Sequence, residues 1–187
     1  MNLTAIILAG GQSLRMGSDK ALMPYHGKPL IQYSIDLALC FTKNIIISAN
    51  QDELRSLRFP VIPDIYHVKA PLAGIHAGLK FSRTNWNLVL TCDMPNVSTH
   101  LINLLISKLE KETQLVLPGH NGYIEPLCGF YHRNLIPVIE SNFQENKLSP
   151  LDLLSVKSHK IVQMEGLLDE NIFSVFKNVN FGNDLLT

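Results

Sequence analysis

The chain has 187 residues, 16 Lys+Arg balanced by 16 Asp+Glu, and 46% hydrophobic against 17% charged residues. That length carries one domain with a real core, expected to span 1–187, and the composition excludes disorder, which needs low hydrophobicity and high net charge. Zero formal charge leaves no broad basic surface for nucleic acid, and no apolar run approaches the roughly 18 residues of a membrane span. The apolar run 5–9 is too short for a signal peptide and has no basic flank, so a cytoplasmic protein is expected. Cys40, Cys92 and Cys128 are odd in number, far apart and form no CxxC pair. They read as reduced thiols rather than as a disulfide framework or a zinc site.

In chain order, short β-rich runs alternate with helical patterns. Runs 4–9, 44–49, 59–62, 87–92 and 114–117 are apolar without strict alternation, the pattern of strands buried on both faces. Helices are predicted over 29–41, 71–82 and 98–113; the last starts at the N-cap candidate Ser98 and carries Leu101, Leu104, Leu105 and Leu109 at helical spacing. After Pro118 the pattern loosens. A turn is predicted at 119–122, a strand within 124–131, a helix near 134–143, and a β-like run at 160–164. Strand–helix alternation of this kind predicts an α/β sandwich with a mostly parallel sheet.

Ligands of open α/β sheets bind beyond the carboxyl ends of the strands. The first strand runs into Leu8-Ala9-Gly10-Gly11, and the loop continues through Arg15 and Asp19 to Lys20. Adjacent glycines let the backbone turn and approach a ligand, and free amides beside basic side chains make an anion cradle. A glycine pair alone is as often a plain turn. Neither the P-loop pattern nor the dinucleotide fingerprint is present, so any phosphate loop here is of another kind. Asp93 directly follows the buried run 87–92, and Met94-Pro95 blocks further pairing. A carboxylate at that position suits Mg²⁺ bridging phosphate oxygens; the plainer alternative, a helix cap, is already filled by Ser98.

Residues 8–20, Leu-Ala-Gly-Gly-Gln-Ser-Leu-Arg-Met-Gly-Ser-Asp-Lys, resemble the signature of the MobA-like molybdenum cofactor guanylyltransferases. Sugar-nucleotide and cytidylyl transferases, which share the signature more loosely, usually carry Leu-Ala-Ala-Gly. Gly10 therefore points to the guanylyl branch. Further matches follow in order: Gly27-Lys28-Pro29-Leu30, Pro71-Leu72-Ala73-Gly74-Ile75, Cys92-Asp93-Met94-Pro95, Glu125-Pro126-Leu127-Cys128-Gly129 and Asn178-Val179-Asn180. The resemblance covers essentially the whole chain.

It implies a Rossmann-like three-layer sandwich of the nucleotide-diphospho-sugar transferase type and a Mg²⁺-dependent enzyme. The implied reaction transfers GMP from GTP to molybdenum-molybdopterin, with other cofactor-biosynthesis or acceptor proteins as partners. Carried onto this sequence, Arg15, Lys20 and Asp93 become catalytic and Asp93 the metal ligand. Leu8, Ala9, Gly10, Gly11, Lys20, Ser48, Asp64 and Asp93 become nucleotide contacts, and Gly74, Glu125 and Asn180 candidates for substrate binding. On sequence alone Gly74 fits tight helix–sheet packing equally well, and Asp64 reads as a turn aspartate after proline. The chain departs from the family at Ser48, where Asn is common and Asn50 stands two residues on. Ala70 replaces a usual Gly, and Phe181-Gly182 follows Asn180 in place of Thr-Pro. Two other functions fit the residues: cytidylyl transfer to molybdopterin or a sugar or alditol phosphate, and a non-catalytic nucleotide-binding module that delivers cofactor. The seven histidines show no ligand spacing, which accords with a transfer reaction that works by positioning and charge.

Overall fold

Six consecutive buried residues, Leu-Thr-Ala-Ile-Ile-Leu, form β1 (Leu3–Leu8) in a computed structural model that describes residues 2–10, 20–167 and 172–179. A strand buried on both faces can only be central, and full burial of an Ile such as Ile6 or Ile7 contributes about 1.5–3 kcal/mol. A small ribbon follows, β2 (Pro24–Tyr25) antiparallel to β3 (Lys28–Pro29). The order then runs α1 (Leu30–Leu39), β4 (Ile45–Ser48), β5 (Val61–Ile62), α2 (Pro71–Phe81), β6 (Trp86–Thr91) and α3 (Thr99–Ile106). The remaining elements are β7 (Leu115–His120), β8 (Tyr123–Ile124), β9 (Gly129–His132), α4 (Ile136–Gln144), β10 (His159–Gln163) and α5 (Ile172–Val175).

Among the described residues the main sheet has eight strands in the order β10-β7-β9-β6-β1-β4-β5, with β8 on β7. Strands β6, β1, β4 and β5 are parallel, as is the pair β7–β10; β9 runs antiparallel between β6 and β7. Residues alternate between two cores. Ala5, Ile7, Leu88 and Leu90 pack with Ile31 and Ile35 of α1 and Leu101 and Leu105 of α3. Ile6, Leu8, Val89 and Leu117 pack with Leu72, Ile75 and Leu79 of α2 and Ile139 of α4. The result is the expected three-layer α/β sandwich with a mostly parallel sheet.

Most boundaries fall within a residue or two of the sequence reading, and three departures are larger, each for a local reason. Helix α3 stops at Ile106 rather than near 113, because its end tightens into i→i−3 bonds. Lys108 N donates to Leu105 O, Leu109 N donates to Ile106 O, and the Ser107 hydroxyl bonds Leu104 O at 2.7 Å. Strand β7 continues through Pro118, Gly119 and His120, where a turn was expected. The turn is the pair Asn121 and Gly122, with φ of 48° and 79°, which suits a tight hairpin to β8. The run 124–131 divides into β8 and β9 rather than forming one strand.

The amino edge of the sheet is closed by a buried hydroxyl–amide network. Thr84 Oγ1 donates to Thr4 Oγ1 at 2.9 Å, and Asn87 Nδ2 donates to Tyr131 O at 3.3 Å. At the carboxyl edge the chain reverses across β1. Its first crossover, through α1, leads to β4 on one side; a later one, through α2, leads to β6 on the other. Such a switch point opens a crevice above the central strands.

Candidate active site

Strand register brings the candidate residues to one line. Leu8 of β1 pairs with Ser48 of β4 and with Thr91 of β6, and Ser48 pairs with Ile62 of β5. One residue further the ladder persists: Ala9 N bonds Ser48 O, Ala49 N bonds Ile62 O, and Cys92 N bonds Leu8 O. Two residues beyond that row stand Gly10, Asn50, Asp64 and Asp93, each emerging from its own strand at the same level. Four segments separated by up to 83 positions therefore deliver their chemistry to a single edge.

Asp93 is held at both oxygens. Thr91 Oγ1 donates to Oδ1 at 2.7 Å, and the Lys20 ammonium lies 3.3 Å from Oδ2. The two side chains of the ion pair are 18% and 27% exposed, sheltered enough to strengthen the attraction yet open to a ligand. Lys20 begins a 3₁₀ turn, Lys20–Leu22, seated by the fully buried Ala21. Across the row, Asn50 and Asp64 bind each other reciprocally. Asn50 Nδ2 donates to Asp64 Oδ2 at 2.9 Å, and Asp64 N donates to Asn50 Oδ1 at 3.0 Å. This pair ties the ends of β4 and β5 and presents a half-buried carboxylate beside an exposed amide.

Ser48 is buried beneath α2 rather than displayed at the edge. A Cβ on Gly74 would sit 2.7 Å from Ser48 Oγ and 3.1 Å from Leu8 Cδ2, and 3.6 Å from Asp64 Oδ1. The missing side chain of Gly74 thus lets the first turn of α2 lie against three candidate residues at once, which accounts for the glycine through packing.

Glu125 lies on the other flank, past β9. Its Oε1 is 3.1 Å from His120 Nε2, on a carboxylate 23% exposed and an imidazole 7% exposed. The His120 ring stacks on Phe176 at 4.7 Å and 12°. From Phe176 the segment returns to the centre, where Val179 N donates to Asp93 O at 2.9 Å and Asn96 Nδ2 donates to Ser174 O at 2.9 Å. Burial, with the Glu125 charge adding to it, pushes the Cys128 thiol up to about 12. Burial also raises Tyr131, whose hydroxyl donates to Pro126 O at 2.6 Å and pins the Glu125–Cys128 turn.

Among the described residues no group of three His, Cys, Asp or Glu side chains gathers to hold a metal. The donor set at Asp93 is a lone carboxylate in a crevice beside a cationic side chain. That suits a hard cation that keeps waters and takes its remaining oxygens from a phosphate substrate, the habit of Mg²⁺, and does not suit an all-protein cage.

A family model described as a MobA-like NTP transferase domain matches residues 5–159. The chain belongs to the MobA-like NTP transferase family. Among its relatives in that family, a probable molybdenum cofactor guanylyltransferase of Flavobacterium johnsoniae is 36% identical over 98% of this chain and 94% of its own length. A protein of the same description from Carboxydothermus hydrogenoformans is 32% identical over 89% of this chain and 84% of its own. Among solved structures, molybdopterin-guanine dinucleotide biosynthesis protein A from Archaeoglobus fulgidus superposes with a TM-score of 0.77 at 23% identity, covering 95% of this chain and 92% of that one. A protein of Aquifex aeolicus gives a TM-score of 0.76 at 24% identity with the same coverage. These neighbours share the nucleotide-diphospho-sugar transferase fold expected of the MobA-like domain. No helix among the described residues is long and apolar enough to cross a membrane.

Of the residues expected at the MobA-like site, Leu8, Ala9, Gly10, Lys20, Asp64 and Asp93 lie along the carboxyl edge. Ser48 and Gly74 lie just beneath it, and Glu125 lies on the β7–β8 flank. Gly11, Arg15 and Asn180 fall outside the described residues. Sequence reasoning assigned no role to Thr91 or Phe176, and His120 reads there, with the other histidines, as a structural or surface residue. A hydroxyl two positions before a strand-end aspartate shares its side of the strand, so Thr91 carried a readable cue. Nothing local pairs His120 with a ring 56 positions away.

Proposed function

We propose that this MobA-like protein is a Mg²⁺-dependent guanylyltransferase that joins GMP from GTP to the terminal phosphate of molybdenum-molybdopterin, releasing pyrophosphate. The observation that carries the reading is the registered row. It sets a Lys20–Asp93 ion pair and an Asn50–Asp64 pair on either side of β1, at the same level above the sheet. The naming of its relatives as molybdenum cofactor guanylyltransferases supports the choice of base and acceptor.

Segment 8–20 would receive the triphosphate, with the Ala9–Gly10 backbone beneath it and Arg15 and Lys20 supplying positive charge. Asp93 would hold the divalent cation, which when bound supplies positive charge beside the phosphate oxygens. Lys20 now balances the Asp93 carboxylate; a triphosphate offers its ammonium a second anion, and there it offsets charge on the departing pyrophosphate. Asn50 and Asp64 present donors and acceptors to the nucleoside. Gly74 keeps α2 close enough to fix that pair, and Glu125 and Asn180 would face the acceptor. An oxygen of the acceptor's terminal phosphate forms the new bond to the α-phosphorus of GTP as the α–β bridging bond breaks. That oxygen is already anionic near neutral pH, so no residue need remove a proton. The residues act through alignment and charge.

Pyrophosphate release with GTP, Mg²⁺ and molybdenum-molybdopterin tests the reading. Asp93→Ala is expected to lower turnover by at least about 10²–10³; undiminished turnover would overturn the assignment. A thermal-shift series with GTP, CTP, UTP and ATP checks the base, because a ligand that binds only the folded state raises its melting temperature. GTP is expected to give the largest shift, and a response to CTP alone would make the protein a cytidylyltransferase.

A further inference from the structure

We infer that Thr91 is a positioning residue for the divalent cation: its hydroxyl fixes the rotation of the Asp93 carboxylate so that Oδ2 is presented to the crevice. The inference rests on the reading of Asp93 as the metal ligand. Thr91 is the last residue of β6, in register with Leu8, and is itself buried. Its backbone is anchored independently of its side chain. The carbonyl accepts a 2.9 Å bond from the buried Ser34 hydroxyl of α1, and the following amide, Cys92 N, bonds Leu8 O. Cys92 turns into the core that holds α1 and α3, which leaves Thr91 and Asp93 on the other side of the chain, two residues apart.

From that fixed base Oγ1 reaches Asp93 Oδ1 at 2.7 Å. An ionised carboxylate only accepts, so the hydroxyl proton must lie on this bond, and a hydroxyl-to-carboxylate bond of that length is of the strong, charge-assisted kind. A β-branched side chain is stiff at χ1, so Thr91 makes a rigid prop. The two oxygens of Asp93 are consequently unequal. Oδ1 is committed to a neutral donor that belongs to the sheet, whereas Oδ2 faces Lys20, a flexible cation that a phosphate can draw away. One oxygen aims the group and the other is left for exchange of cations. Partners of this kind, which orient a ligand without touching the metal, typically alter metal affinity by about 10–100-fold when removed.

The test uses Mn²⁺ as a paramagnetic probe and reads its affinity for the protein–GTP complex by electron paramagnetic resonance, alongside turnover. Thr91→Val keeps the shape and removes the donor; it is expected to weaken Mn²⁺ binding about 10–100-fold, with a matching rise in the metal concentration needed for half-maximal rate. Thr91→Ser retains the hydroxyl and is expected to recover most of the loss, a rescue that a purely structural role for the side chain would not predict. Thr91→Ala replaces the valine variant if the second methyl is not accommodated. If Thr91→Val binds Mn²⁺ as tightly as the native chain while Asp93→Ala does not, the positioning role is overturned and the metal assignment stands. If Asp93→Ala also binds normally, both fall.

Discussion

A thiol at position 40 and one at position 128 read alike in the sequence, as reduced cysteines, and the structure separates them. Cys40 is exposed at the end of α1, where its Sγ–H meets Asp36 O at 3.5 Å. Cys128 is entirely enclosed, and burial together with the Glu125 carboxylate raises its thiol to about 12, so it stays protonated at any physiological pH. Only the thiolate is nucleophilic. Titration with a disulfide reagent is expected to show one fast thiol in the native protein and two more, Cys92 and Cys128, only on unfolding; two fast thiols would contradict the buried environment. The same contrast holds for carboxylates. Asp93 and Asp64 were visible as strand-end acids, but their partners were not, because Lys20 lies 73 positions from Asp93 and Asn50 lies 14 from Asp64.

Helix α2 shows what an element adds. Gly74 and Gly78 are one turn apart and face β1, but a Cβ would have different consequences at each. At Gly78 it would meet Ile6 Cγ2 at 2.5 Å, in the middle of a fully buried strand. Overpacking of that kind costs about 1–3 kcal/mol, while alanine returns up to about 1 kcal/mol of helix propensity. Gly78→Ala is expected to be less stable by about 1–2 kcal/mol in urea titration, with GTP affinity of the folded protein unchanged. At Gly74 the clash is with Ser48 Oγ at 2.7 Å, and Asp64 Oδ1 lies within 3.6 Å. Gly74→Ala is expected to raise the Kd for GTP several-fold by displacing the Asn50–Asp64 pair, measured by calorimetry; unchanged affinity would detach α2 from the nucleotide site. The helix itself was legible from Pro71 and its apolar spacing, and its observed span, Pro71–Phe81, falls one residue short of the predicted 71–82. Helix α3 was legible at its Ser98 cap but not at its end, because a single turn of i→i−3 bonds closes it while Leu109 still packs on the core.

The neutral net charge of the whole molecule conceals opposed local charges. Arg15, Lys20 and Lys28 outnumber Asp19 between positions 10 and 28 of the sequence, and Lys20 meets the carboxylate of Asp93 directly. On the far layer Glu140 of α4 binds His76 Nε2 at 3.1 Å and Lys80 Nζ at 3.3 Å, clamping α4 to α2. The His76 hydrogen bond, then that from Lys80, holds the Glu140 carboxyl below its ordinary value. A carboxylate depressed in the folded state stabilises the protein above its unfolded value, and that stability is lost as pH falls through the folded one. Glu140→Gln is therefore expected to be less stable than the native chain near neutrality, by under about 1 kcal/mol for so exposed a group. The gap should close as pH falls below the ordinary glutamate range in urea titrations. A gap that persists at the acid end would assign the effect to packing.

By itself the sequence determined the sandwich class, the glycine loop after the first strand, the aspartate after the buried strand at 87–92, and the kinship with MobA-like transferases. These are properties of short segments: apolar period, turn chemistry, and residue types at fixed spacing along the chain. Only the tertiary structure decided which of those segments meet. The side-chain period along a strand is two, so a slip of one residue between β1 and β4 or β6 would send every side chain to the opposite face. Register, set by the packing of α1 and α3 on one face and α2 and α4 on the other, is what brings Gly10, Asn50, Asp64 and Asp93 to one level.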